Sequence, residues 1–272
     1  MAKKKIGIYT ELESTPNNKV EDLYLIVDKD SIVFSVKNKV KNEFVAFEHF
    51  VNSADNTGWH QLVAYLQNNS KLIQNTYGNV NFIWNHPRFI LTQKRVQEDT
   101  LLYQQELSLV HGSNNEEELY ITPYDEHLAI VFSVPDALST LLSRSFPTGK
   151  WHHFAEYVLA SAGDNDALVF LFENNFVVRL LKESRTQLIK YFSLEGDDQN
   201  AYQLLNACNN AGIELNKTNL VVWGYQPAQH EFLQKLGTLF QNYTIHQAPE
   251  TGVGSNLNNS YPQHTYSTYF IF

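Results

Sequence analysis

The sequence predicts an α/β fold in which one β-β-β-α-β unit occurs twice. Two observations carry this. Leu23–Val51 and Ala167–Glu195 are both 29 residues long and align without a gap. After each, an apolar stripe at helical spacing leads into a strand that ends in tryptophan.

Each repeat opens on a short continuous apolar run, 23–27 and 167–172. Such a run suits a central strand buried on both faces. A polar turn follows, Lys29-Asp30-Ser31 in one copy and Glu173-Asn174-Asn175 in the other. Asp and Asn tolerate the backbone angles that tight hairpins need. Second and third β-rich runs lie at 32–37 and 44–50, and at 176–181 and 188–193. Each repeat therefore reads as a three-stranded antiparallel meander.

Trp59, Leu62, Val63 and Leu66 then mark one helix, and Ala201, Leu204, Leu205 and Cys208 another. Asp55 or Thr57 is the expected cap of the first, and Asp197 or Asp198 of the second. Gly212 is placed to end the second. The next strands are 81–85 and 220–224, closing on Trp84-Asn85 and Trp223-Gly224. In the second copy, a helix over 229–240 and a closing strand over 243–246 complete the unit. The first copy carries extra material: a strand at Phe89–Leu91, a helix around Gln93–Leu109, and a solvated acidic loop at Glu116–Glu118. Leu128–Phe132 reads as the late strand matching 243–246. Helices are expected from Pro135-Asp136 and over Trp151–Ala160.

The expected organisation is an N-terminal extension over 1–19 and a first domain over 20–163 with an insertion near 86–127. A second domain spans 164–248, after a boundary at Gly163-Asp164-Asn165-Asp166, and a tail spans 249–272. The Gly- and Asn-rich stretch at 249–260 reads as mobile. Tyr266–Phe272 reads as either a terminal strand or an exposed aromatic tail.

Composition narrows the function classes. The chain has 272 residues, 29 acidic against 20 basic, and a formal net charge of −9. That balance argues against a nucleic-acid binder that works by neutralising phosphates. The single cysteine, Cys208, excludes an intrachain disulfide and any Cys-cluster zinc site. It lies on an apolar stripe with no basic neighbour, so packing is its expected role. Lys3–Lys5 is followed by acidic and polar residues, not by the apolar core of a signal peptide. No apolar run is long enough to span a membrane. A cytoplasmic protein is the expectation. His152 and His153 are adjacent, so on a helix they diverge and do not share a metal. No metal site is expected. Neither a Gly-x-Ser-x-Gly elbow nor a Gly-rich phosphate loop of standard spacing occurs.

The tandem unit resembles the ribonuclease-H-like unit of the actin, heat-shock-seventy and sugar-kinase superfamily. Leu23–Phe50, Leu128–Leu142 and especially Ala167–Phe240 resemble a bacterial domain-of-unknown-function family with a degenerate actin-like ATPase fold. That family is similar in turn to the pilus-assembly protein PilM and the secretion protein GspL. The resemblance implies two ribonuclease-H-like domains around a cleft, with a nucleotide site between two phosphate loops and an adenosine turn. At the first loop, Asp28 and Ser31 match, but Asp30 stands where glycine lets phosphate approach. At the second, Phe172-Glu173-Asn174 replaces Asp-x-Gly, with Glu173 one position away. At the adenosine turn Gly224 matches, and Tyr225 stands in place of a second glycine.

Asp28, Ser31, Glu173 and Gly224 are therefore the candidate nucleotide-binding residues of an eroded site. Asp28 also reads as a plain turn residue. Trp84, Trp223 and Tyr225 are candidate cleft-lining residues, with core packing as the competing reading for the tryptophans. The leading expectation is a non-catalytic binding or assembly module with a protein or peptide partner and no cofactor. The alternatives are an ATPase or kinase using ATP and Mg at an atypical site, and a ribonuclease-H-like nuclease. The nuclease needs clustered carboxylates, yet Asn85 stands where a second one is required.

Overall fold

A computed structural model describes residues 2–10, 20–52, 58–95, 100–161, 167–183, 185–224, 230–261 and 265–272. The expected caps Asp55 and Thr57, the boundary residues Gly163–Asp166, and Tyr225 lie outside these. The chain divides into two compact units, Met1–Glu156 and Tyr157–Phe272.

In the first unit the meander is β2 (Glu21–Asp28), β3 (Ser31–Asn38) and β4 (Glu43–Asn52). Only Tyr24 of β2 is partly exposed, as a two-faced central strand requires. Helix α1 (Trp59–Asn69) buries Leu62, Val63 and Leu66 and leads to β5 (Asn79–Trp84), parallel to β2. The N-terminal segment is a strand, β1 (Ala2–Tyr9), antiparallel to β4. The lysine cluster is therefore part of the sheet edge. Lys4 turns inward there and reaches Glu48 of β4.

The extra material forms its own three-stranded sheet, order β6-β8-β7, from β6 (Phe89–Gln93), β7 (Glu117–Pro123) and β8 (Leu128–Pro135). Helix α2 (Thr100–His111) lies against it through Tyr103 and Leu107. Three expectations change here. The acidic loop at Glu116–Glu118 opens strand β7, where Arg88 pairs with Glu117 at 2.8 Å and Tyr120 donates to Glu118 at 2.7 Å. The helix expected from Gln93 begins at Thr100. Leu128–Phe132 belongs to β8 of this separate sheet and does not close the main one. After α3 (Asp136–Ser145), the closing place is taken by β9 (Lys150–His153), parallel to β5. Lys-Trp-His-His has no apolar run, so pattern reading assigned it to the following helix. That helix, α4, starts only at Phe154 and runs to Ala160.

The second unit holds a meander of β10 (Ala167–Leu171), β11 (Asn175–Lys182) and β12 (Arg185–Ser193). Helix α5 (Asp197–Asn210) crosses to β13 (Asn219–Trp223), and α6 (His230–Leu239) to β14 (Asn242–Ile245). Gly196, not an aspartate, caps α5. Asp197 and Asp198 sit in its first turn, where carboxylates favour the helix dipole. Gly212 ends this segment at φ +66°. The sheet order is β12-β11-β10-β13-β14, and the first unit repeats that sequence of neighbours in β4-β3-β2-β5-β9.

The two strand-ending tryptophans do not match. Trp84 is opposite Val27, whereas Trp223 is opposite Phe170, one position earlier in the aligned frame. A one-residue shift in a strand places a side chain on the other face.

The tail also differs from expectation. Residues 252–260 form helix α7 (Gly252–Ser260), with Val253, Gly254 and Leu257 buried. Ser267–Phe270 is a buried 3-10 turn, neither a strand nor an exposed tail.

The buried carboxylate of Glu48 sets the first stability test. It accepts from Lys4 Nζ at 2.5 Å, from the backbone N–H of Lys71 at 3.1 Å, and from the hydroxyls of Tyr9 and Ser70. Lys4→Met leaves this charge buried with a lost counter-ion, and should cost about 2–4 kcal/mol in urea unfolding. Glu48→Gln should partly restore stability in that background. Failure of the second change to restore anything contradicts the pairing.

Candidate functional site

In parallel α/β sheets, ligands bind beyond the carboxyl ends of the strands. In the first unit that edge is formed by β2, β5 and β9, and it ends on Asp28, Asn85 and His153. Asp28 and Ser31 face each other across the two-residue turn that joins β2 to β3. Asp28 Oδ1 accepts from Lys29 N at 2.6 Å, and Oδ2 from Asn85 Nδ2 at 3.1 Å. A phosphate loop works through backbone N–H groups that a phosphate can take. Here the Lys29 N–H is already held by the protein's own carboxylate. Asp28 thus ties the turn to the end of β5, whose ladder continues through Asn85 N to Val27 O at 2.9 Å.

His152 and His153 lie on a strand, so they alternate in face. His152 Nδ1 is 3.0 Å from Glu156 Oε2. His153 is buried and stacks on Phe89 with ring centroids 4.4 Å apart. Its Nε2 donates to His86 O at 2.9 Å and its Nδ1 accepts from Ala155 N at 3.2 Å. A carbonyl can only accept and an amide N–H only donate, so these partners fix the neutral tautomer. Trp84 is buried, edge-on to Trp59 and Trp151 and stacked on His86.

The corresponding edge of the second unit is filled by the chain's own C-terminal segment. Ser267 Oγ accepts from Gly224 N at 2.6 Å, and Thr268 Oγ1 donates to Leu171 O at 3.1 Å. Tyr269 packs edge-on to Phe172 at 5.7 Å between centroids. Thr265, Ser267, Thr268 and Tyr269 are all buried. Gly224 has φ +70°, and a Cβ there would overlap Thr268 Oγ1 and lie 2.5 Å from Leu171 O. Glycine at this turn is thus required by the seating of the tail. Glu173 lies in the β10–β11 turn, half-buried. Burial first, then the charges of Tyr261 and Glu173, push the Tyr266 phenol well above its ordinary value. Trp223 stacks between Phe170 and His246, with centroids 5.8 and 3.4 Å away.

Of the sequence candidates, Asp28 and Ser31 meet in one turn of the first unit, while Glu173 and Gly224 belong to the second. Trp84 is core, and Trp223 is part of an aromatic stack. Cys208 is buried, and burial pushes its thiol up to about 12. Asn85, His153 and Ser267–Tyr269 were not singled out for these contacts by the sequence. Gly224, singled out as an adenosine-turn glycine, turns out to touch the last group through its N–H. Among the described residues, no group of three or more His, Cys, Asp or Glu could hold a metal ion, and no helix is long and apolar enough to cross a membrane.

Sheet order and edge geometry define a protein of the actin-like ATPase fold. A crystal structure from Bacteroides thetaiotaomicron, described as having that fold and unknown function, is 13% identical. Its TM-score is 0.74, over 87% of this chain and 94% of that one. The PilM–PilN type IV pilus biogenesis complex matches at 11% identity and TM-score 0.53, over 84% and 89%. The ethanolamine utilization protein EutJ from Carboxydothermus hydrogenoformans matches at 6% and 0.50, over 87% of each chain. Residues 11–243 match the family model DUF3822, described as a protein of unknown function, and the chain belongs to that family. No curated protein matches it.

Two outcomes follow from this geometry. Gly224→Ala should destabilise the protein by about 2–4 kcal/mol, because strain and overlap add. Thr268→Ala should recover part of that loss in the double variant, measured by chemical denaturation. The second concerns pH. Burial pushes His153 from its ordinary 6.5 down to about 3. The unfolded imidazole takes its proton near 6.5 and the folded one does not, so stability falls as pH drops from 6.5 toward 3. At about pH 5 this one group should cost roughly 2 kcal/mol relative to neutral pH. Urea midpoints at the two pH values check it, and His153→Gln should flatten the slope.

Proposed function

We propose that this chain is a non-catalytic, cytoplasmic binding or assembly module built on an actin-like fold whose nucleotide motifs have eroded. The observation that carries this reading is the C-terminal segment on the second sheet. It takes the Gly224 N–H, at the turn where the superfamily resemblance puts adenosine, and the Leu171 carbonyl at the end of β10. At the first loop, Asp30 replaces glycine and the Lys29 N–H is spent on Asp28. Polar groups already paired inside the protein give a nucleotide little to gain. The match to PilM, a member of a pilus biogenesis complex, supports a protein or peptide partner.

Isothermal titration of the full chain with Mg·ATP is expected to give no binding heat through the submillimolar range. Submillimolar binding that disappears in Asp28→Ala would replace this reading with that of an atypical ATP-binding protein.

A further inference from the structure

Strand β12 is the outer strand of the second unit's sheet, paired only to β11 among the described residues. An outer strand presents a row of backbone donors and acceptors to any chain that can lie beside it. Native proteins usually cover or bend such an edge. Here the edge opens instead onto a groove of about 340 Å³ between β12 and α5.

Alternate β12 residues Leu188, Lys190 and Phe192 line one wall of this groove, and Tyr202, Gln203 and Asn206 line the other. Leu188 and Phe192 rest on the core below, so the floor is apolar. Tyr202 is 63% exposed, an unusual position for so large a ring. Lys190 Nζ lies 5.1 Å from the Phe192 ring centroid. Among the described residues Lys190 makes no ion pair.

Charge selects the occupant. Strand β12 carries Arg185 and Lys190 and no acid. Helix α5 has acids only at Asp197 and Asp198, in its first turn, away from the groove, and Asp198 is paired with Lys235 at 2.8 Å. In a chain of net charge −9, this groove has basic charge alone. We infer that it takes an extended peptide of a partner protein as an added strand. That peptide bears a carboxylate opposite Lys190 and apolar side chains two positions away on either side. The spacing follows from the strand period, which puts residues i and i+2 on one face. Backbone pairing along β12 supplies affinity, and the Lys190–carboxylate pair supplies selection.

This rests on the partner-binding reading above but is separable from it. The probe is a blocked nine-residue peptide with valines on one face and a central glutamate. It is added to the full chain and followed by fluorescence anisotropy and by amide hydrogen exchange. Binding should slow exchange across Arg185–Ser193. Lys190→Glu should weaken it about tenfold, and a peptide with central lysine should regain affinity for that variant. Lys190 is exposed, so the variant should fold normally. Absence of binding, of added protection in β12, or of any response to the charge swap overturns the inference. A native partner whose capture is indifferent to Lys190→Glu overturns it too, while leaving the partner-binding reading intact.

Discussion

Glu48 sits fully buried in β4 with a carboxylate that must be satisfied inside the protein. Its acceptor sites are met from two stretches of chain: β1 through Lys4 and Tyr9, and the turn after α1 through the Ser70 hydroxyl and the Lys71 backbone. Ser70 does double duty, because its hydroxyl also accepts from the N–H groups of Leu72 and Ile73 at 3.1 and 3.2 Å. The exit of α1 is thereby fixed, and with it the approach to β5. Since β5 carries Asn85 to Asp28, the geometry of the first carboxyl edge depends on a charge buried at the other side of the sheet. Release of β1 would do more than uncover the buried Ile6. It would strand a carboxylate.

At the carboxyl ends of both sets of parallel strands, backbone groups are paired inside the protein. In the first unit a carboxylate holds the turn amide, and a buried neutral histidine holds the start of α4. In the second, Ser267 accepts from the Gly224 N–H and Thr268 donates to the Leu171 carbonyl.

Much of this was legible in the sequence, because buried central strands and amphipathic helices leave periodic apolar patterns. Both meanders, α1, α5 and α6 were read that way, whereas Gly224 was picked out only by its resemblance to an adenosine-turn glycine, and its lack of side-chain room comes from the structure. Strand β9 was not legible. Its four residues include a lysine and two histidines, and its burial comes from aromatic rings contributed by β5, β6 and β8. The acids of β7 looked solvated because their partners, Arg88 and Ser139, are distant in sequence. The tryptophan match failed for a related reason. Sequence alignment saw two strands ending alike, but hydrogen-bond register decides the face.

The sequence by itself determined the α/β class and the order of the meander strands and helices, because chain periodicity is a local property. Only the tertiary structure decided that β1 completes the first sheet, and that Ser267 and Thr268 pair with Gly224 and Leu171 at the carboxyl ends of the second sheet's parallel strands. It also decided that a short polar strand finishes the first domain's order of neighbours. Those choices depend on which donors, acceptors and rings meet across long separations, and no local pattern records such meetings.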